Sequence, residues 1–310
     1  HQVCPIVWWH VWDNEPYPEF NDPFYEATDL INCHSHHTYT QLKQKWPKRT
    51  NFVPHALPEN LFYPLPPGVI AQNKPQVLGA DRSDHYVMFW VNRNARRKRP
   101  NDLLWCWKQF LDHLQKHHGH KKASLLMHTD PLDAEGPNLF AACDALKIRE
   151  NVVFSNQRID FPTMNLLHNI SDCTINISYA EGFGLSTLEA MMTGTPIIAP
   201  KTGGQTRQVV NAYTKEQNGV ALDIDYRTLV GSQGVPYIWE DYASNDQIVE
   251  SMIKMYEMGD HDRKRLGRKA LEYARSEFSM DKTINLWHQT MVETILTWKK
   301  KRKNYELLEI

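Results

Sequence analysis

Ser178–Val210 reads SYAEGFGLSTLEAMMTGTPIIAPKTGGQTRQVV, and this stretch decides the fold. A short apolar run, Cys173–Ile177, leads into it and has the length of a buried strand. Glu181-Gly182-Phe183-Gly184 then reads as a loop, a helix opens at about Ser186 and ends at Gly194, and a second apolar strand, Pro196–Ala199, follows at once. Strand, tight loop, helix and strand in so few residues form the unit of a parallel α/β sheet. The glycines let the backbone approach a ligand closely. The helix start offers unpaired N–H groups and the positive end of a dipole, which suits an anion. Glu181 and Glu189 are eight residues apart across this turn. Both are expected to face the space beyond the carboxyl ends of the strands, where open α/β sheets bind ligands. Ser186-x-x-Glu189 also fits a capping box, an alternative structural duty for Glu189. Glu181 has no comparable structural duty.

Working outward, apolar runs of strand length recur at Pro5–Trp9, Leu30–Cys33, Thr50–Val53, Tyr86–Val91, Ala123–Met127 and Asn151–Phe154. They are rich in Val, Ile and aromatic residues, as strands buried on both faces are. Between them lie segments of helical spacing. The clearest is about Asn101–His118, where Leu103, Leu104, Trp107, Phe110, Leu111 and Leu114 make one apolar face. Asn101 and Asp102 suit its start, Lys116, His117 and His118 its negative end, and Gly119 the residue beyond. Just before it, VNRNARRKRP (Val91–Pro100) sets Arg93, Arg96, Arg97, Lys98 and Arg99 at a second strand-to-helix turn. Alone this is a solvated basic loop. Placed in the same sheet as Glu181, it suits a diphosphate, with Arg as a bidentate fork and Lys as a point charge.

Pro54, Pro58, Pro64, Pro66 and Pro67 crowd together and are followed by polar sequence to about Asp84, which reads as a linker. The expected division is 1–75, 76–285 and 286–310, the last a helix returning to the first unit. About Asn211–Asn245 reads as a loop-like insertion, and the sequence beyond it as helical.

The totals exclude several classes. At 310 residues, 41% hydrophobic and 23% charged, the chain can bury a sizeable core. A net charge of −1 argues against a protein held to nucleic acid by bulk charge. No apolar run is long enough to span a bilayer, and no basic-then-apolar segment opens the sequence. Five scattered cysteines without a C-x-x-C read as free thiols of a reducing compartment, so a cytoplasmic protein is expected.

The EGFGLSTLEAM stretch resembles the E-x7-E motif of the GT-B retaining glycosyltransferases of family 4. The likeness continues in order along the chain. Pro5–His10 resembles the N-domain strand that ends in His, Asp29–Ser35 an "aD-x-ii-x-x-S" strand, and Val53–Phe62 a "vPnGvd…F" segment. Val91–Lys98 resembles "G-R-x-x-x-R-K-G", and Thr202–Val210 resembles "GG-x-x-E-x-v". The resemblance implies two Rossmann-like domains. It also implies a retaining hexosyl transfer (EC 2.4) from a UDP- or GDP-sugar to a glycan, lipid or small-molecule acceptor, with no metal required. It implies catalytic roles for Glu181 and His10 on the sugar and for Arg93 and Lys98 on the diphosphate. Glu189 would hold the ribose, Phe183, Gly184, Leu185 and Ser186 the phosphate or sugar, and Gln157 and Arg158 the base. Asn92, Ala56 and Arg99 depart from glycines of those motifs, and Arg207 or Gln208 stands where the last one has Glu. The first unit has only about 70 residues, so the N-terminal domain is expected to be abbreviated or truncated. A nucleotide-sugar epimerase of the same fold and a non-catalytic nucleotide-sugar binding module are the alternatives.

Two histidine clusters, His34/His36/His37 and His117/His118/His120, lack a Cys or acidic set at metal spacing, so no metal is expected there. The basic tail Lys299–Lys303 reads as a solvated helix end, with contact to an anionic membrane surface as the lesser reading.

Overall fold

The structure is a computed structural model and describes residues 3–301. In chain order its elements are β1 (Val7–His10), α1 (Asp22–Ala27), β2 (Leu30–Cys33), α2 (His36–Lys45), β3 (Thr50–Phe52) and α3 (Pro67–Leu78). There follow β4 (Tyr86–Val91), α4 (Pro100–His118), β5 (Ala123–His128), α5 (Leu139–Leu146), β6 (Val152–Ser155), α6 (Phe161–Asn169), β7 (Cys173–Ile175) and α7 (Leu185–Met192). The chain continues through β8 (Ile197–Pro200), α8 (Thr206–Val209), β9 (Val220–Leu222), β10 (Tyr226–Val230), β11 (Ile238–Tyr242), α9 (Asn245–Glu257), α10 (Gly259–Glu277) and α11 (Met280–Lys301).

Two parallel sheets result. The first has the order β1-β2-β3, pairing Val7 with Leu30 and Ile31 with Thr50. The second has the order β6-β5-β4-β7-β8-β9, parallel throughout. The chain builds outward from β4 to β6, then returns to the middle and builds the other way from β7 to β9. The neighbours β4 and β7 therefore flank a topological switch point, where such sheets open a crevice at their carboxyl ends. Both chemical signals of the sequence, the basic loop after β4 and the glycine loop after β7, stand at that crevice.

Local sequence explains the elements. All of β2 is buried, as is β4 up to Trp90. The six apolar residues of the α4 face are all buried, each contributing roughly 1.5–3 kcal/mol. Pro100 starts α4 and Gly119, at φ +74°, ends it. Arg99 precedes Pro100 at φ +56°, a conformation that favours glycine. Its guanidinium is locked by Asp102 at 2.7 Å, the Ala243 carbonyl at 2.8 Å and Asn245 Oδ1 at 3.1 Å, which hold that backbone in place.

Two expectations are corrected. The polar stretch read as linker contains α3, because Pro67 falls at a helix start, where its missing N–H costs nothing, and Gly79 closes the other end. Leu78 is buried, and Ile70 and Val77 pack against the cluster of Val87, Phe89 and Leu126. The loop-like insertion contains β9 and an antiparallel hairpin, β10–β11, pairing Tyr226 with Tyr242. The hairpin strands show no clean apolar alternation, since Tyr226 to Leu229 are all exposed.

The two sheets are joined more than once. The terminal helix α11 begins at Met280, earlier than expected, and returns to the first sheet. Thr283 donates to the Pro54 carbonyl at 3.1 Å, Asn32 donates to Thr290 at 3.0 Å, and Trp287 meets Trp9 edge-on at 5.8 Å. The hairpin reaches the loop after β1, where the Trp239 N–H donates to the Glu15 carbonyl at 2.7 Å. No helix of the described residues is long and apolar enough to cross a membrane.

Candidate active site

At the switch point the loops after β4 and β7 are tied together. The Tyr179 N–H donates to the Arg97 carbonyl at 3.0 Å, and Arg97 Nη1 donates to the Ala180 carbonyl at 3.1 Å. This brings Lys98 onto Glu181: its Nζ donates to Oε1, with both side chains nearly fully buried. Ser178 Oγ at 2.8 Å and Asn176 Nδ2 at 3.2 Å donate to the same oxygen, and Arg97 Nη1 stands 3.8 Å from Oε2. Burial pushes the Glu181 carboxyl up, but Lys98 and Arg97 outweigh it and hold it below the ordinary range. Burial draws the Lys98 ammonium below its ordinary value. The pair is thus an ionised, desolvated centre with one carboxylate oxygen heavily bonded. Among these residues, Asn176 and Ser178 escaped the site reading, and Arg97 was read only as one cation of the basic run.

The glycine loop is closely packed. A side chain on Gly182 would lie 2.3 Å from the Val11 side chain, so here the loop touches the N-terminal unit. Gly184 is left-handed at φ +91° and caps α7, which opens at Leu185. The capping box is not formed: Ser186 lies inside the helix, and no side chain caps its start. Glu189 instead meets His168, its Oε2 lying 3.2 Å from Nε2. Thr174 Oγ1 lies 3.3 Å from the other ring nitrogen of His168, so a proton on Nε2 satisfies both contacts. Phe183 turns inward against Phe278 and His55, leaving exposed Leu185 and half-buried Ser186 at the open helix start. The Gly203–Gly204 loop leans on the same wall, with the Gly204 N–H donating to the Glu181 carbonyl at 2.8 Å.

Across the crevice, the carboxyl ends of the first sheet carry three imidazoles. His10 ends β1 and lies 2.8 Å from the Tyr25 hydroxyl. His34 follows β2 and His55 follows β3, their rings 4.2 Å apart, and His55 reaches Phe183. Burial holds His10 and His55 down to about 4; for His34, burial and then its neighbours His55 and His10 hold it to about 3. All three are neutral at pH 7.

Other expected site residues lie apart from this cluster. Arg93 is exposed and gives both Nε and Nη2 to Asp133, at 2.7 and 3.0 Å. Gln157 and Arg158 are exposed in the loop after β6. At the end of α4, His113 and His118 bring ring nitrogens, and Glu257 a carboxylate oxygen, within 4.8 Å of one another, and of the histidines clustered in sequence only His118 takes part. The acidic partner comes from α9, too distant in sequence for a spacing argument. His113 and His118 lie roughly 20 and 27 Å along α4 from its start at Pro100. Of the basic tail, Lys299 and Lys300 are exposed on α11, while the side chain of Lys301 and all of Arg302 and Lys303 lie outside the described residues.

Residues 78–225 match the family "Glycosyl transferases group 1". An uncharacterized glycosyltransferase of Methanocaldococcus jannaschii is 27% identical over 129 residues, covering 37% of this chain and 33% of the relative. Among solved structures, the sucrose-phosphate synthase of Thermosynechococcus elongatus superposes with a TM-score of 0.65 at 19% identity, covering 91% of this chain and 60% of that one. Anabaena HepE in complex with UDP gives 0.71 at 17% identity, covering 93% of this chain and 72% of that one. The chain thus spans a third of the curated relative and three fifths of the synthase. Its fold is GT-B, and within it residues 78–225 match glycosyl transferases group 1.

Proposed function

We propose that this chain transfers a hexose from a nucleoside diphosphate sugar to an acceptor hydroxyl, with retention at the anomeric carbon, in the manner of family 4 (EC 2.4). The observation that carries this reading is the meeting of Lys98 with Glu181 at the switch point, beside the open helix start at Leu185. Anabaena HepE is solved in complex with UDP and with UDP-glucose, which supports a UDP-sugar donor here.

In this reading the donor lies along the crevice. Its diphosphate takes Lys98 as partner, with Arg97 adjacent and Arg93 swinging in from Asp133. The backbone of Gly184, Leu185 and Ser186 supplies N–H donors to phosphate or sugar. Glu189, oriented by His168, binds the ribose hydroxyls, and the backbone at Gln157 and Arg158 meets the base. Glu181 and the neutral His10 contact hydroxyls of the transferred sugar.

The bond from the anomeric carbon to the phosphate oxygen breaks, and its electron pair leaves on the diphosphate. The acceptor oxygen bonds the same carbon from the same face, and its proton passes to the departing phosphate oxygen. Positive charge must therefore await the diphosphate, and each preorganised donor of this kind supplies about 3 kcal/mol of transition-state stabilisation. Lys98, Arg97, Arg93 and the helix start supply that charge without calling on a metal. The acceptor is a glycan, lipid or small molecule. A cytoplasmic setting belongs to the same reading, since four of the five free cysteines are buried.

The test is donor cleavage followed by proton NMR. Incubation with UDP- and GDP-hexoses should release the nucleotide and, first, the α-sugar from an α-linked donor. Release of the β-sugar would overturn retention, and release of an epimer would favour the epimerase. Binding of a donor without any cleavage would leave a binding module.

A further inference from the structure

Beside the Glu181 wall lies a cleft of about 310 Å³, formed by α2 of the N-terminal unit and by the Gly203–Lys215 segment of the other. It starts immediately behind the crevice, because a side chain on Gly203 would meet the Glu181 carbonyl oxygen at 2.1 Å. Its ionisable lining is of one sign. His36, His37, Arg207 and Lys215 face it, joined by Thr40 and Thr206, and among the described residues no carboxylate lines it.

Arg207 is firmly placed. Its Nε donates to Glu277 at 2.7 Å, and its guanidinium lies 5.2 Å over Phe52 and 5.7 Å over Tyr213. Glu277 is buried and shared with Tyr213 and Lys282, so it anchors Arg207 from behind. With Nε anchored and its plane against two aromatic rings, the guanidinium is fixed in the wall of the cleft. Lys215 donates to the Ala212 carbonyl at 2.7 Å and is exposed at the rim. A cleft of this size holds a sugar-sized body. A guanidinium matches carboxylate and phosphate alike, but a guanidinium and an ammonium together offer two positive charges, which favours a dianionic phosphate over a singly charged carboxylate.

We propose that the acceptor is a phosphate monoester whose phosphate docks between Arg207 and Lys215, with His36, His37, Thr40 and Thr206 completing the pocket. This rests on the transfer reading above and names the acceptor class for a cleft that adjoins the donor crevice.

The test is calorimetric titration of the chain with glucose 6-phosphate, glucuronate and glucose, each with and without saturating UDP. Glucose 6-phosphate should bind in both conditions, glucuronate at least tenfold more weakly, and glucose not at all. Arg207→Gln and Lys215→Gln should each weaken glucose 6-phosphate at least fivefold and leave UDP affinity within twofold. Lys215 is exposed, so its variant keeps the test valid if Arg207→Gln unfolds. Displacement by UDP, equal binding of glucuronate, wild-type affinity in both variants, or no binding of the sugar phosphate would each overturn the proposal. Failure of UDP itself to bind would instead count against the donor reading, while the sugar-phosphate titration still decides this one.

Discussion

Lys98 donates to the carboxylate of Glu181 across 83 residues of chain, and both groups are buried. A buried ion pair is costly to break from one side, because the remaining charge is left desolvated. Lys98→Ala should therefore cost about 3 kcal/mol of stability as well as about a hundredfold in donor cleavage. The double variant Lys98→Met/Glu181→Gln should recover most of the stability and none of the cleavage. Urea denaturation and nucleotide release measure the two quantities separately. Recovery of cleavage in the double variant would show that the pair serves folding alone.

Much of the frame was legible because burial on both faces writes itself as continuous apolar runs. Leu30–Cys33 and Tyr86–Val91 are strands with the expected bounds, and the α4 face is buried as its spacing implied. The hairpin β10–β11 was not legible, since it packs one edge on Glu15 and leaves Tyr226 and Leu229 in solvent. The site was half legible. Local grammar offered a capping box for Glu189, but the structure gives that carboxylate to a histidine 21 residues away. No spacing rule anticipates such a pairing, nor the placement of Arg93 on Asp133.

His168 is fully buried between Thr174 and Glu189, so it acts as a positioning residue for the proposed ribose contact. His168→Ala should weaken uridine or guanosine diphosphate about tenfold, the equivalent of about 1.4 kcal/mol. Pyrophosphate, which has no ribose, should bind with unchanged affinity. A parallel loss for pyrophosphate would point to general loosening of the site.

His10, His34 and His55 bind protons more weakly when folded than the ordinary imidazole value of about 6.5, mainly through burial. The unfolded chain therefore takes up more protons between about pH 6.5 and 4, and stability falls as the pH is lowered through that window. Above it, the contribution is fully present. For His10 the loss is roughly 2 kcal/mol at pH 5. Denaturation midpoints at pH 7 and pH 5 check this, and His10→Gln should flatten the slope by about one proton.

Gly203 combines a φ of +47° with a backbone contact that leaves no room for a methyl group against the Glu181 carbonyl. Gly203→Ala should cost about 1–3 kcal/mol and displace the wall bearing Glu181. Gly119, also left-handed but with open space around it, should lose stability on the same substitution while donor binding stays unchanged. Thermal unfolding with a donor-affinity measurement distinguishes the two positions.

The central claim is that the crevice between β4 and β7 binds a nucleoside diphosphate sugar through Lys98. Calorimetric titration of the wild-type chain and Lys98→Met/Glu181→Gln with a panel of UDP- and GDP-sugars tests it most directly. The account predicts saturable binding of at least one donor by the wild type and at least a hundredfold loss in the double variant. Absence of binding for every donor, or equal affinity in the two chains, would contradict it.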